Sequence, residues 1–371
     1  MTSWPMLEFG VAVEDVTGGN IRTLQSDYLV QGNYPIVDQG QQQVAGYTND
    51  SHRLVRSTGP LIVFGDHTTC IKFFDERFAL GADGVKVLRP KTGFDAKFLY
   101  HFLSTRRLPN AGYSRHFKFL KQIPVPSPPI AEQRRIADVL DRADALRAER
   151  RAALTLLDDL NESIFLEMFG DLHENPAGFE LRHLDEWLLP DRPMTYGILM
   201  PGPDIPDGVP YVRVVDMRDG GIAITGVRRT TSEISQQYRR SLLTTGDLLI
   251  SIRGHVGRLA LVPEELDGAN ITQDSARLTV VPESRHYVLG ALRSPTMQRW
   301  MKKRIKGVAV QGINLGDLKR LPLPVPPLEL QIRFAERFKA QMRVRATQAG
   351  SMMMLHDLIA SLQQRAFAGE L

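Results

Sequence analysis

Cysteine is nearly absent: Cys70 is the single one in 371 residues, so no internal disulfide can form and no cysteine pair can set a metal-binding spacing. A reducing, cytoplasmic setting is the expectation. Long apolar runs are missing too. No stretch approaches the roughly 20 apolar residues that span a bilayer, so no membrane association is expected. The opening MTSWPMLEFG lacks the basic-then-apolar pattern of a secretory leader. Charge of one sign is also scarce overall: the formal net charge is only +4, which matters for a polyanionic partner only if it is concentrated somewhere.

Catalytic signatures are missing as well. The chain has no Walker A pattern, HExxH, CxxC or GxSxG elbow, so nucleotide hydrolysis, zinc chemistry and serine hydrolysis lack their usual machinery. SPPI at 127–130 approaches the SPP-aromatic tetrad of amino-methyltransferases. Ile130, however, cannot stack on a flipped base, and no glycine-rich cofactor motif accompanies it. Asp95 with Lys97 and Asp317 with Lys319 form Asp-x-Lys dyads, but neither has the nearby upstream Pro-Asp of metal-dependent nucleases. Nine scattered histidines show no ligand spacing. No catalytic residue and no metal site is assigned.

What the chain does have is a repeat. Displaced by 198 residues, Leu120, Lys121, Pro124, Pro126, Pro128 and Pro129 fall on Leu318, Lys319, Pro322, Pro324, Pro326 and Pro327 without a gap. The register holds beyond the prolines, with Gln133 on Gln331, Arg135 on Arg333, Arg147 on Arg345, Asp159 on Asp357 and Phe169 on Phe367. Chance does not keep register over such a length. Two copies at a long period imply a duplicated unit: a globular part, a proline connector and a helix. The alternating prolines favour polyproline II and predict a stiff spacer.

From Ile136 the positions Val139, Ala143, Leu146, Ala153, Leu157, Leu160 and Ile164 follow a 3/4 alternation, the signature of a coiled-coil seam. About forty residues give a rod of about 60 Å, ending near Gly170. The second helix carries Phe334, Phe338, Met342, Val344, Leu355, Leu358 and Leu362 around a polar middle. Antiparallel pairing of the two would build a spacer with pseudo-twofold symmetry. The globular parts read as mixed structure with short strands such as 59–65, 84–90, 211–217, 246–254 and 275–282. The expected fold is α+β: two globular mixed α/β domains separated by two long antiparallel coiled-coil helices, with the heads diverged by insertion.

The basic charge is concentrated. Residues 129–171 carry six basic against ten acidic side chains, whereas 285–320 carry nine basic residues against Asp317 alone, and 104–122 carry five with no acid. Both basic stretches lie just before a connector. A lone basic run is usually a solvated helix face, but equivalent placement in both halves points to duplex DNA. In the second half the candidates are Lys302, Lys303, Arg304, Lys306, Gln311 and Asn314, with Arg253, His255 and Arg258 from the glycine-flanked segment SIRGHVGRLALV. In the first half they are Arg115, His116 and Lys118, joined by Tyr113, with Asp66, His67, Thr68 and Lys72 from FGDHTTCIKFF in the corresponding place. Charges attract the backbone, and amides, hydroxyls and arginines can read base edges.

Taken together, IPVPSPPIAEQRRIA (123–137) with its echo LPLPVPPLELQIRFA (321–335), NYPIVDQGQQQVAGY (33–47), VPYVRVVDM and GDLLISIRGHVGR resemble the specificity subunit of Type I restriction-modification systems over essentially the whole chain. The resemblance implies target-recognition domains at 1–128 and 171–326 and conserved spacer helices at 129–170 and 327–371. Each recognition domain would read one half of a split, asymmetric DNA sequence. The helices would dock two methyltransferase subunits, and restriction/translocase subunits would join the larger complex. S-adenosylmethionine, ATP and magnesium would serve those partners, leaving this subunit non-catalytic and without a cofactor. One departure is LELQ at 328–331 where the first copy has IAEQ. The alternatives are a self-contained DNA-modifying enzyme, which needs a cofactor or metal site, and a coiled-coil scaffold with no DNA role, which the clustered basic charge opposes.

Overall fold

A computed structural model describes residues 4–82, 84–109, 114–218, 220–307 and 311–371. Two long helices, α4 (Ile130–Phe169) and α9 (Leu328–Ala368), link two mixed α/β heads. Contacts divide the chain into two compact units, Met1–Arg151 with Gly350–Leu371, and Ala152–Ala349. Each unit therefore holds one head and a portion of both long helices.

In the first unit the strands are β1 (Met6–Leu7), β2 (Val13–Asp15), β3 (Tyr34–Val37), β4 (Gly46–Thr48), β5 (Leu61–Gly65), β6 (Ile71–Phe74), β7 (Ala79–Leu80), β8 (Val85–Pro90) and β9 (Val125–Pro126). Its short helices are α1 (Phe9–Ala12), α2 (Ala96–Ser104) and α3 (Phe117–Leu120). The second unit has β10 (Leu181–His183), β11 (Thr195–Tyr196), β12 (Val209–Val212), β13 (Met217–Arg218), β14 (Gly221–Ile222), β15 (Arg228–Thr230), β16 (Leu248–Ser251), β17 (Leu259–Leu261), β18 (Asn270–Ile271), β19 (Ser275–Leu278) and β20 (Pro322–Pro324). Its head helices are α5 (Ser232–Gln237), α6 (Arg285–Arg293), α7 (Pro295–Lys302) and α8 (Leu315–Lys319).

The two heads share one topology. A four-stranded sheet in the order β2-β8-β5-β6 matches β11-β19-β16-β17, and a three-stranded sheet β4-β3-β7 matches β15-β12-β18. Even the parallel pair recurs, β3 with β7 and β12 with β18. Among the described residues the hairpin β13–β14 has no counterpart in the first head. Central strands are buried on both faces, as their unbroken apolar runs require. Ile62 and Phe64 face one core while Leu61 and Val63 face another, and Leu248 and Ile250 alternate with Leu249 in the same way.

The proline connectors are not free spacers. β9 pairs antiparallel with β1, and β20 with β10, so each connector is the second strand of a small sheet in its own head. Proline fits there because a strand with only one neighbour needs few donors. The repeated glutamine then locks the turn into the helix. Gln133 donates from Nε2 to the Pro128 carbonyl at 2.9 Å, and Gln331 does the same to Pro326 at 2.8 Å. Both are almost fully buried.

Within each unit the long helices run antiparallel. Arg337 meets Glu167 and Arg345 meets Asp158 in the second unit, while in the first Ile136, Ala137 and Leu140 share a core with Leu362, Ala366 and Phe367. The seam differs from its sequence pattern. Leu146, Leu160, Val344 and Leu358, expected inside it, are 41–55% exposed. Apolar packing is instead concentrated where each helix portion meets a head, because there both the partner helix and the head helix bury it. No helix among the described residues is long and apolar enough to cross a membrane.

Candidate nucleic-acid interface

In the second head the loop between β16 and β17 is held by its own polar groups. The Ser251 hydroxyl donates to the His255 carbonyl and accepts from the Arg258 N–H at 2.8 Å. Gly254 and Gly257 take φ of 67° and 92°, a region that side chains with a Cβ avoid. A Cβ on Gly257 would meet the Gln298 amide at 2.5 Å, and that amide donates to the Gly257 carbonyl at 3.0 Å, tying the loop to α7.

This loop pairs with the segment before α8. Ile313 N–H donates to the Ile252 carbonyl at 2.9 Å, Gly254 N–H donates to Gln311 at 3.1 Å, and Lys306 and Gly312 exchange both backbone bonds. Arg253, Lys306, Gln311 and Asn314, far apart in sequence, thereby converge. Arg253, Lys306 and Asn314 line a cavity of about 420 Å³ with Tyr196 and Gln273, and Arg253 donates to the Gln273 Oε1 at 2.9 Å. Arg253, Lys306, Gln311, Asn314 and Tyr196 are exposed. Lys306 and Arg320 share Asp317, whose carboxyl their hydrogen bonds hold below the usual range.

Arg258 points elsewhere. It is half-buried, donates to the Val214 carbonyl at 3.3 Å, and lines a separate cavity of about 660 Å³ with His255, Arg218 and Arg293. Lys302 and Lys303 are exposed at the carboxyl end of α7, where positive charge also complements the helix dipole. Arg304 stacks its guanidinium 3.6 Å from the centre of the Trp300 ring.

The corresponding loop of the first head, between β5 and β6, is built differently. Asp66, Lys72 and His116 are 3, 3 and 4% exposed and serve the scaffold rather than the surface. The Asp66 carboxylate accepts from the Phe117 N–H at 2.7 Å and its carbonyl accepts from the His116 N–H at 2.8 Å, fixing the start of α3. Lys72 donates to the Asp38 carbonyl at 2.9 Å, and burial pushes its ammonium below the ordinary lysine value. The Thr68 hydroxyl donates to Gln39 O at 2.5 Å, and the same residue's amide oxygen accepts from the His67 N–H at 3.3 Å. Of the first-head candidates, Thr68, Arg115 and Lys118 are exposed and His67 is half-buried. Tyr113 lies outside the described residues.

Tyr196, Gln273, Arg218 and Arg293 were not apparent from sequence. Tyr196, Gln273 and Arg218 belong to no basic run, and Arg293 lies in one only as part of α6. The pairing of β11 with β19 and of Arg253 and Lys306 with Gly312 brings Tyr196 and Gln273 to the cleft.

The family model for the Type I restriction modification DNA specificity domain matches residues 13–156 and again 204–347. The chain is 26% identical to the EcoBI specificity subunit of Escherichia coli, over 97% of this chain and 79% of that one. It is 29% identical to the EcoR124I/EcoR124II specificity subunit of the same species, over 88% and 86%. Among solved structures, the S subunit of a Type I restriction-modification system from M. genitalium aligns over 98% of this chain and 96% of its own, with a TM-score of 0.62 at 16% identity. A second, from work on the assembly and conformational transition of the type I system, aligns over 100% and 99% with a TM-score of 0.54 at 17% identity. Two matched copies of the specificity domain, on two heads of one topology, make the chain a member of the Type I restriction-modification DNA specificity family and its non-catalytic, sequence-specific DNA-recognition subunit.

Proposed function

We propose that each head reads one half of a bipartite, asymmetric duplex DNA site, with recognition domains at 1–128 and 171–326 and spacer helices at 129–170 and 327–371. The observation that carries this is the convergence of Arg253, Lys306, Gln311 and Asn314 on one face of the second head. An arginine and two amides beside a lysine supply base-edge donors and acceptors next to a phosphate contact. In the first head the surface set is narrower: Arg115 and Lys118 for the backbone, Thr68 and His67 for bases.

The long helices carry the docking function. Leu156, Leu160 and Val344 in the second unit, and Leu146, Met353, Met354 and Leu358 in the first, expose apolar surface that a partner helix would cover. Methyltransferase subunits, two in number, are the partners the family supplies, with restriction/translocase subunits in the full assembly. A cytoplasmic location belongs to the same reading, since the DNA it guards is there.

Mapping methylated adenines by long-read sequencing in the source genome tests this directly. A split motif with two dissimilar halves is the expected result, and Arg253→Ala with Asn314→Ala should relax one half only. Loss of preference in both halves, or in neither, removes this cleft from base reading.

A further inference from the structure

A further basic cleft, of about 620 Å³, is lined by Arg192, Arg239, Arg240 and Arg277 with Asp191 as its one acid. Arg277 on β19 is 4% exposed. Its two terminal nitrogens donate to the Leu242 and Pro193 carbonyls at 3.0 and 3.1 Å, and its buried Nε has no partner among the described residues. Among the described residues no carboxylate pairs with it directly. Burial and then the Arg192 charge work against the Arg277 cation, while Asp247 attracts it through space but is engaged by Arg192 at 2.9 Å, Thr279 at 2.7 Å and the Thr244 N–H at 2.8 Å.

The sister head shows that the fold does not require this arginine. Counting rungs from the ends of the matching ladders, Leu249 faces Arg277 where Val63 faces Val87. Val63 and Val87 are both buried in an apolar cluster. A buried guanidinium with no directly paired carboxylate is costly where valine packs well, and an anion in the cleft would offset that cost. Arg239 and Arg240, exposed on the turn at Arg239–Ser241, extend the same positive surface outward.

We propose that this arginine cleft binds phosphate groups, those of the DNA backbone beside the half-site read by the second head. The placement argues for DNA. β11 is the edge strand of its sheet, with Thr195 lining the arginine cleft and Tyr196 lining the cleft of Arg253, Lys306 and Asn314. A linear polyanion crossing that edge meets both. The inference rests on the DNA-recognition reading for its ligand, while its chemistry can be tested without DNA.

Two arms decide it on the full-length chain. In the first, inorganic pyrophosphate is added and the thermal midpoint followed. Wild type should rise by several degrees, whereas Arg277→Met and the surface pair Arg239→Ala/Arg240→Ala should not. In the second, DNA affinity is measured against salt concentration. The double variant should show a slope of log K against log salt shallower by about 2, with sequence preference unchanged. The double variant keeps the test valid if Arg277→Met does not fold. Pyrophosphate stabilisation with an unaltered salt slope would assign the cleft to a free phosphate ester and overturn the DNA source. No response in either arm would overturn the site. A wild type that binds pyrophosphate here but shows no sequence-specific DNA binding would instead count against the recognition reading.

Discussion

The joint between head and long helix is built twice in this molecule, apolar both times but with a different group at its centre. In the first unit the apolar contact of α2 with α4 is flanked by a polar one: buried His101 contacts Asp141 at 2.8 Å and Asp144 at 3.8 Å, and Lys97 pairs with Asp141 at 2.5 Å. Burial works against the Asp141 carboxylate, but the hydrogen bonds from Lys97 and His101 outweigh it and hold the group below the usual range. In the second unit α6 presents Gly290 and His286 at the matching turns. Phe165 and Phe334 close over Gly290, and His286 packs on Phe338 beside Lys339. A large polar side chain against small neighbours has become no side chain against large aromatic ones. What the duplication preserves is the backbone joint and its glutamine lock; the side chains on either side of it have changed together.

The largest effect should come from refilling the aromatic joint. A Cβ at 290 would stand 2.7 Å from Phe165 and 2.9 Å from Phe334, so Gly290→Ala should cost about 2–3 kcal/mol by overpacking. Adding Phe334→Leu should recover part of that loss, a coupling that thermal unfolding of the two single and the double variants will measure. Next is Arg253→Ala, expected to weaken binding of the cognate duplex by about 1–3 kcal/mol and to relax discrimination at one position. Arg115→Ala in the first head should act on all sequences alike. Equal loss of discrimination from both would mean the heads read DNA by the same means.

Smaller is Lys302→Ala with Lys303→Ala, which should reduce the salt slope by about 2 and leave sequence preference intact. An unchanged slope would make the pair a helix-end feature only. The smallest concerns His286, whose imidazole is depressed to about 4, by burial first and then by Lys339 and Arg285. The unfolded chain binds this proton near pH 6.5, so the second unit loses stability as pH falls from there towards 4. Solvent reaches part of the ring, which holds the loss to about 1 kcal/mol. His286→Gln should flatten that portion of the stability profile, while Lys97, paired with Asp141, gives the first unit no counterpart.

The parts legible in the sequence are those where register is locked. Connector and long helix hold one offset because each residue there has a fixed partner: Gln133 and Gln331 on proline carbonyls, Phe169 and Phe367 on head helices. The shared head topology escaped notice because equivalent strands drift. Leu7 matches Arg182 at an offset of 175, whereas Pro126 matches Pro324 at 198, so 23 residues of insertion are spread over turns between strands of two to six residues. The basic segments were visible as charge, yet the burial of Asp66, Lys72 and His116 was not. Each is a polar side chain consumed by a backbone group that only the folded loop brings near. The coiled-coil pattern misplaced Leu146 and Leu160 because burial is decided by the heads at the helix ends as much as by the facing helix.

The interlaced make-up of the first unit also sets an order of events during synthesis. Its core closes only when Phe367 reaches Phe98 and Phe102, with ring centres 5.7 and 5.3 Å apart. The second unit is one continuous stretch, and its matching contact joins Phe169 to Tyr287. These separations are 367 − 98 = 269 and 287 − 169 = 118 residues. At about 5–20 residues per second on the ribosome, the head made first waits tens of seconds with its aromatic face open, while the head made second can complete itself almost as it emerges. The earlier head is therefore the one whose aromatic face stays exposed longer during synthesis.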